Sequence, residues 1–351
     1  MFFLNSVSLK EKVDFTKNLG VMLKSGITIN EALEILGDQT NNRAFKKSIN
    51  KIRENTERGT PLSESFLKEK KSFGGVFVSL IRAGEVSGTL EENLVFLSDW
   101  LERNSDLKQE INTATLYPKF VLAATFILGG GLSIYILPKL IPLFSQLRVE
   151  LPITTKILMA FSIFMQNYWF FVLIGVAAFW FTFSLLNRVR LVRKFLHGLY
   201  INSPFVGSLI IDYQLALISQ LFLTLFKGGL SIDESLEITG KAIANIRYQE
   251  SIERIRGRVN KGTALSEAIK EYPKLYPVNF FSIISTAEKS GTLDESLKYL
   301  SQFYSKEVKN KVKKLPTIIE PILLIFIAFV VGFIALSIIS PIYELTRGVS
   351  R

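Results

Sequence analysis

Ile81–Trp100 reads IRAGEVSGTLEENLVFLSDW, and Ile284–Phe303 reads ISTAEKSGTLDESLKYLSQF. The two stretches share Ile81/Ile284, Glu85/Glu288, Ser87-Gly88-Thr89-Leu90/Ser290-Gly291-Thr292-Leu293, Glu92/Glu295, Leu94/Leu297 and Leu97/Leu300, all at an offset of 203. The offset persists outside this window. Gly26–Leu33 (GITINEAL) answers to Gly229–Leu236 (GLSIDESL), Gly59–Glu64 (GTPLSE) to Gly262–Glu267 (GTALSE), and Pro118 to Pro321. A register kept without a gap over about ninety residues marks an internal duplication.

Each copy carries helical signals and no sustained period of two. Thr28 with Glu31 and Thr89 with Glu92 fit the capping box, as do Ser231 with Glu234 and Thr292 with Glu295 in the second copy. Thr60-Pro61 places a cap residue before a proline at the first helical position. Leu90, Leu94, Leu97 and Leu101 fall on one helix face. The expected fold is therefore all-α, with about six helices in a small bundle per copy.

The 351 residues are 48% hydrophobic yet 21% charged, which suggests soluble parts joined to membrane spans. Phe120–Leu137, Trp169–Leu186 and Ile322–Ile339 are uncharged runs long enough to cross a bilayer once their flanks are counted. Tyr168 and Trp169 sit where an aromatic belt would lie, and Ile157–Met165, the last part of the preceding loop, is a candidate interfacial helix. Arg188, Arg190, Arg193 and Lys194 follow the second run, and Lys306, Lys309, Lys311, Lys313 and Lys314 precede the third. By the positive-inside rule both bundles are cytoplasmic, with the loop after the first span and the C-terminus outside. The expected divisions are 1–115 (first cytoplasmic bundle), 116–143 (first transmembrane helix), 144–167 (external loop) and 168–187 (second transmembrane helix). They continue with 188–314 (second bundle), 315–341 (third transmembrane helix) and 342–351 (external tail). The net charge of +11 is mostly juxtamembrane, so it points to anionic lipid rather than directly to nucleic acid. The N-terminus lacks the pattern of a cleaved signal peptide, and no cysteine is present.

Little in the chain suggests chemistry of its own, so no catalytic, cofactor-binding or metal residue is assigned. His197 is the sole histidine and reads as a surface or interfacial side chain. Thr239-Gly240-Lys241-Ala242 resembles the end of a phosphate loop, but Ser235 stands where the first glycine belongs and Ala242 lacks the magnesium-binding hydroxyl. The three uncharged runs offer no ionisable group for an ion pathway, which disfavours a transporter or channel. Glu85 and Glu288 read as carboxylates that cap a helix or pair with a basic neighbour; a contact to a partner or a divalent ion is the sharper alternative. Gly88 and Gly291 are expected at positive φ, ending one helix before Thr89 or Thr292 starts the next. Pro118 and Pro321 are expected to bend the helices that enter the membrane, with a coupling hinge as the alternative.

These duplicated motifs, together with Tyr117-Pro118 and Pro321, resemble the type II secretion system F domain family over nearly the whole chain. That family includes the inner-membrane platform proteins of type IV pilus, type II secretion and competence pseudopilus systems. The resemblance implies two six-helix bundles and three transmembrane helices. It also implies a non-enzymatic homo-oligomer in the bacterial inner membrane, among other platform components, that couples a cytoplasmic hexameric assembly or retraction ATPase to pilins or pseudopilins. Many members carry a longer N-terminal extension than the ten or so residues that precede the first helical pattern here.

Overall fold

The computed structural model describes residues 7–131, 135, 152–186, 189–204 and 206–349. Lys139, Pro142, Arg148, Glu150 and Arg188, which mark the expected ends of two spans and the loop between them, lie outside the described residues. Every regular element among the described residues is helical. The first repeat contains α1 (Leu9–Lys24), α2 (Ile29–Gln39), α3 (Arg43–Glu57), α4 (Leu62–Lys68), α5 (Lys70–Phe73), α6 (Gly75–Ser87) and the start of α7 (Leu90–Gly131). Then come α8 (Ile153–Leu186) and α9 (Arg190–Ile201). The second repeat contains α10 (Gly207–Lys227), α11 (Ile232–Ala242), α12 (Ile246–Val259), α13 (Leu265–Lys270), α14 (Val278–Ser290) and the start of α15 (Leu293–Val349).

Local chemistry explains where these helices begin. Ser231 and Glu234 close a full capping box on α11, and Ser8 with Glu11 does the same on α1. At α2 the Thr28 hydroxyl accepts from the Glu31 amide at 3.4 Å. Asn42 and Asn245 cap α3 and α12. The expected Thr60 cap does not form. Pro61, extended at ψ 143°, occupies the N-cap of α4 without a side-chain bond, so the first free amide belongs to Leu62. Its acceptor comes from far along the chain, as described below.

The chain divides into two compact units, one of Met1–Gln109 with Arg193–Asn310 and one of Glu110–Val192 with Lys311–Arg351. Within the first unit the first repeat packs around Phe15, Phe45, Phe66, Phe73 and Phe77, whose rings lie 4.7–6.4 Å apart, edge-on or tilted. The second repeat puts Ile218, Tyr248, Ile269, Tyr276 and Phe280 at the same five positions. Its added hydroxyls need partners, and they find them. Tyr248 donates to the Leu275 carbonyl at 2.8 Å, and Tyr276 pairs with Ser251 at 3.0 Å. Tyr304, in the place of Leu101, donates to Asn279 at 3.0 Å, and burial pushes its hydroxyl up to about 12.

The two repeats share a core rather than standing apart. Leu221 and Leu225 of α10 belong to the first repeat's apolar cluster, and α6 packs on α11. Asn93, 2% exposed, donates to the Leu80 carbonyl at 3.1 Å and the Gly228 carbonyl at 3.3 Å. A methyl group on Gly228 would sit 2.6 Å from Leu80 Cδ2, so a larger residue there would force the buried Leu80 side chain to shift. The equivalents at the offset of 203 are Ser296 for Asn93 and Ser25 for Gly228, so the contact is not repeated.

By length and composition α7, α10 and α15 are apolar enough to cross a membrane, and α8 qualifies as a bent pair of segments. Burial separates them. The apolar window of α10 is 61% buried inside the first unit, against 6% for α7 and 11% for α15. With Asp212, Gln214 and Gln220 also buried on it, α10 is a core helix, which leaves α7, α8 and α15 as the spans. Within the second unit, Phe126 meets Phe326 at 6.3 Å and Thr155 donates to the Ser337 carbonyl at 2.8 Å. Ile157–Met165, the candidate interfacial helix, lies within α8 and is continuous with the residues up to Val172, and the chain bends by 48° between Val172 and Ile174. No Gly or Pro stands between Ile153 and Val172 to break the helix earlier.

Candidate functional site

The two repeated motifs with the strongest sequence identity turn out to be the two halves of one contact. Glu85, near the end of α6, receives the Leu62 amide on Oε1 at 2.6 Å and the Ser63 amide on Oε2 at 3.1 Å. Glu288, near the end of α14, receives the Leu265 amide at 2.5 Å and the Ser266 amide at 2.9 Å. In each repeat a carboxylate from 22–23 residues downstream thus caps a short helix that has no cap of its own. It satisfies two orphan amides and places negative charge at a helix N-terminus.

Three residues on, the chain reverses. Gly88 and Gly291 both adopt φ +73° and close the preceding helix in the left-handed conformation. The Thr89 amide reaches back to the Gly84 carbonyl at 2.9 Å, and that of Thr292 to the Ala287 carbonyl at 3.1 Å. Over each glycine the flanking hydroxyls meet, Ser87 with Thr89 and Ser290 with Thr292, both at 2.6 Å. Glutamate, glycine and threonine therefore form one turn that ties α4 to the corner between α6 and α7, or α13 to the corner between α14 and α15. Pro118 and Pro321 lie apart from it. Pro118 is buried inside α7, which stays one helix through it, and Pro321 is exposed on α15.

His197 has a role that the sequence did not show. Its Nδ1 accepts the Ile246 amide at 3.1 Å, capping α12 from outside, while Arg193 donates to the Ala244 carbonyl at 2.9 Å and Lys194 pairs with Glu250 at 2.6 Å. Burial, aided by the nearby Arg193 charge, lowers the imidazole pKa and so favours the neutral form that this acceptor requires. Two members of the basic cluster thus hold α9 to the second repeat. No periodicity signal could have revealed this, since the contact joins residues 49 apart. The Thr239–Ala242 stretch is helical, and Lys241 pairs with Glu237. Beside it Arg256 grips Asp233 through two bonds at 2.6 and 2.9 Å. That grip, with Asn260, lowers the Asp233 pKa to about 2. Among the described residues no set of three or more His, Cys, Asp or Glu side chains converges as a metal site would require.

Comparison with known proteins gives this architecture its context. The family described as type II secretion system (T2SS), protein F matches residues 15–138 and again 218–341, an interval that reproduces the offset of the internal repeat. The type IV pilus assembly protein PilC of Thermus thermophilus is 30% identical over 341 residues, covering 96% of this chain and 83% of that protein. PilC of Pseudomonas aeruginosa is 27% identical, covering 94% of this chain and 88% of the relative. The type II secretion system protein F of Aeromonas hydrophila is 28% identical, covering 100% and 90%. A duplicated helical unit, three exposed apolar helices and matches across both repeats lead to one assignment: the chain belongs to the type II secretion system protein F family.

Proposed function

We propose that this protein is the inner-membrane platform of a type IV pilus or type II secretion machine, passing the motion of a cytoplasmic ATPase to pilin or pseudopilin subunits. The observation that carries this reading is the match along at least 94% of the chain to proteins named for pilus assembly and for type II secretion. Two features of the chain support a mechanical rather than a chemical role. The helix that leaves each capped turn, α7 or α15, is unbroken from the turn into its apolar segment. Glu85 and Glu288, the charged side chains common to the two turns, are spent as caps on backbone amides. A rigid helix rooted in a capped corner transmits displacement with little loss to local melting. In this reading both repeats face the cytoplasm, the C-terminus faces outward, and the protein acts as an oligomer.

The test is genetic and topological together. Deletion should abolish either surface pili or secretion of the exoprotein set, and the intact gene should restore it. Since the chain has no cysteine, single cysteines can report sidedness. One at Ser350 should react with an impermeant maleimide from outside intact spheroplasts, and one at Val278 only after lysis. Normal piliation and secretion in the deletion strain, or nucleotide hydrolysis by the purified protein alone, would overturn the reading.

A further inference from the structure

Helix α9 has a face that neither the repeat architecture nor the capped turns use. Leu191, Phe195 and Leu199, spaced i, i+4, i+8, are 78%, 70% and 58% exposed, an apolar stripe open along three turns. The other side of the helix is fixed to the second repeat by Arg193, Lys194 and His197. Beside the stripe is a cavity of about 350 Å³. Gly198, Asn202, Arg247, Tyr272 and Lys274 are among the residues that line it. Helical spacing puts Gly198 three residues beyond Phe195, and Asn202 three beyond Leu199, so the cavity opens at the edge of the stripe.

This cavity is electropositive. A methyl group on Gly198 would sit 2.5 Å from Arg247 Nη2, so the guanidinium lies directly against α9 there. Among the described residues neither the Arg247 guanidinium nor the Lys274 ammonium has an ion pair or hydrogen bond, while the carboxylate on the wall, Glu271, is held by Arg258. Two uncompensated cations with an amide and a phenol suit an oxyanion bearing several acceptors. The adjacent apolar stripe calls for something that also carries hydrocarbon.

We propose that α9 lies in the plane of the lipid interface, with Leu191, Phe195 and Leu199 among the acyl chains and an anionic phospholipid headgroup held between Arg247 and Lys274. The chain itself favours lipid over a protein partner. The apolar end of α8 is Leu186 and α9 begins at Arg190, so the helix starts within about 14 Å of where that span leaves the bilayer, at about 3.5 Å per residue. An amphipathic helix with a basic margin at that position meets the criteria for an interfacial anchor. The inference needs only that the chain spans a membrane; it stands or falls independently of which machine the protein serves.

The test uses the full chain in nanodiscs. Single cysteines replace Phe195, Leu199 and, as a water-facing control 69% exposed on the second repeat, Val278, each carrying a nitroxide. Labels at 195 and 199 should be about fivefold or more less accessible to a water-soluble nickel chelate than the label at 278, and correspondingly open to oxygen. The double variant Arg247→Gln/Lys274→Gln should lose about thirtyfold of the preference for phosphatidylglycerol over phosphatidylcholine, at about 1 kcal/mol per basic residue. Equal chelate access at all three sites would overturn the interfacial placement. An unchanged lipid preference in the double variant would overturn the headgroup site. Displacement of the lipid by millimolar inorganic phosphate would reassign the cavity to a free anion.

Discussion

Replacing Glu85 with alanine leaves the Leu62 and Ser63 amides at the start of α4 without their acceptors. Ordinary N-cap losses cost 0.5–2 kcal/mol, and hydrogen bonds to a charged group run somewhat higher. Glu85 itself is exposed, so water recovers part of the loss, and a net cost of about 2 kcal/mol is expected. That corresponds to about a thirtyfold fall in local protection. Hydrogen exchange followed by mass spectrometry on the full chain reads it directly at the first amides of α4. The duplication supplies an internal replicate, since Glu288→Ala should expose Leu265 and Ser266 and leave α4 untouched. A second change sharpens the logic. Pro61→Ser in the Glu85→Ala background supplies a cap from the adjacent position and should restore most of the protection. Unchanged exchange at Leu62 and Ser63 in Glu85→Ala would refute the reasoning, because the remote carboxylate would then not be what holds the end of the helix.

Other consequences can be measured on the same chain. Gly88→Val and Gly291→Val place a branched residue at φ +73°, where no neighbouring atom crowds an added Cβ, so the penalty is backbone strain of about 1–2 kcal/mol or more; Gly88→Asn should be far milder, and equal melting temperatures for Val and Asn would exclude strain as the cause. Asn93→Ala strips the Leu80 and Gly228 carbonyls of a buried donor, at about 1–3 kcal/mol; it should raise exchange along Leu221–Gly228, whereas Ser296→Ala should not. The folded pKa of Asp233, about 2, lies below its free value of 3.8. Its contribution to stability is therefore complete above pH 3.8 and lost as the pH falls through about 2; carboxyl NMR should show this titration in the wild type, and Arg256→Gln should move it upward.

The sequence alone determined the duplication, the helical class, the three uncharged apolar runs and the positions of the two turns. These are local or one-dimensional properties: a repeated register, a period of 3.6, a run of uncharged residues, a glycine between two helices. The partner that each turn glutamate would take was beyond it, because Glu85 and Leu62 are 23 residues apart and neither shows alone that it awaits the other. Both motifs recur at that interval in each repeat, and this was the available signal. Helix α10 lies within the stretch read as the second bundle, yet its hydropathy alone would also pass as a span, since hydropathy measures what a segment tolerates and burial depends on what packs around it. The offset of 203 could not foresee that the repeats would share a core. That choice rests on Asn93 and Gly228, two positions where the copies differ, and on the close approach that a missing side chain permits. Tertiary structure decided it for a physical reason: hydrogen-bond partners and steric fit are set in space, while the chain records only its own order.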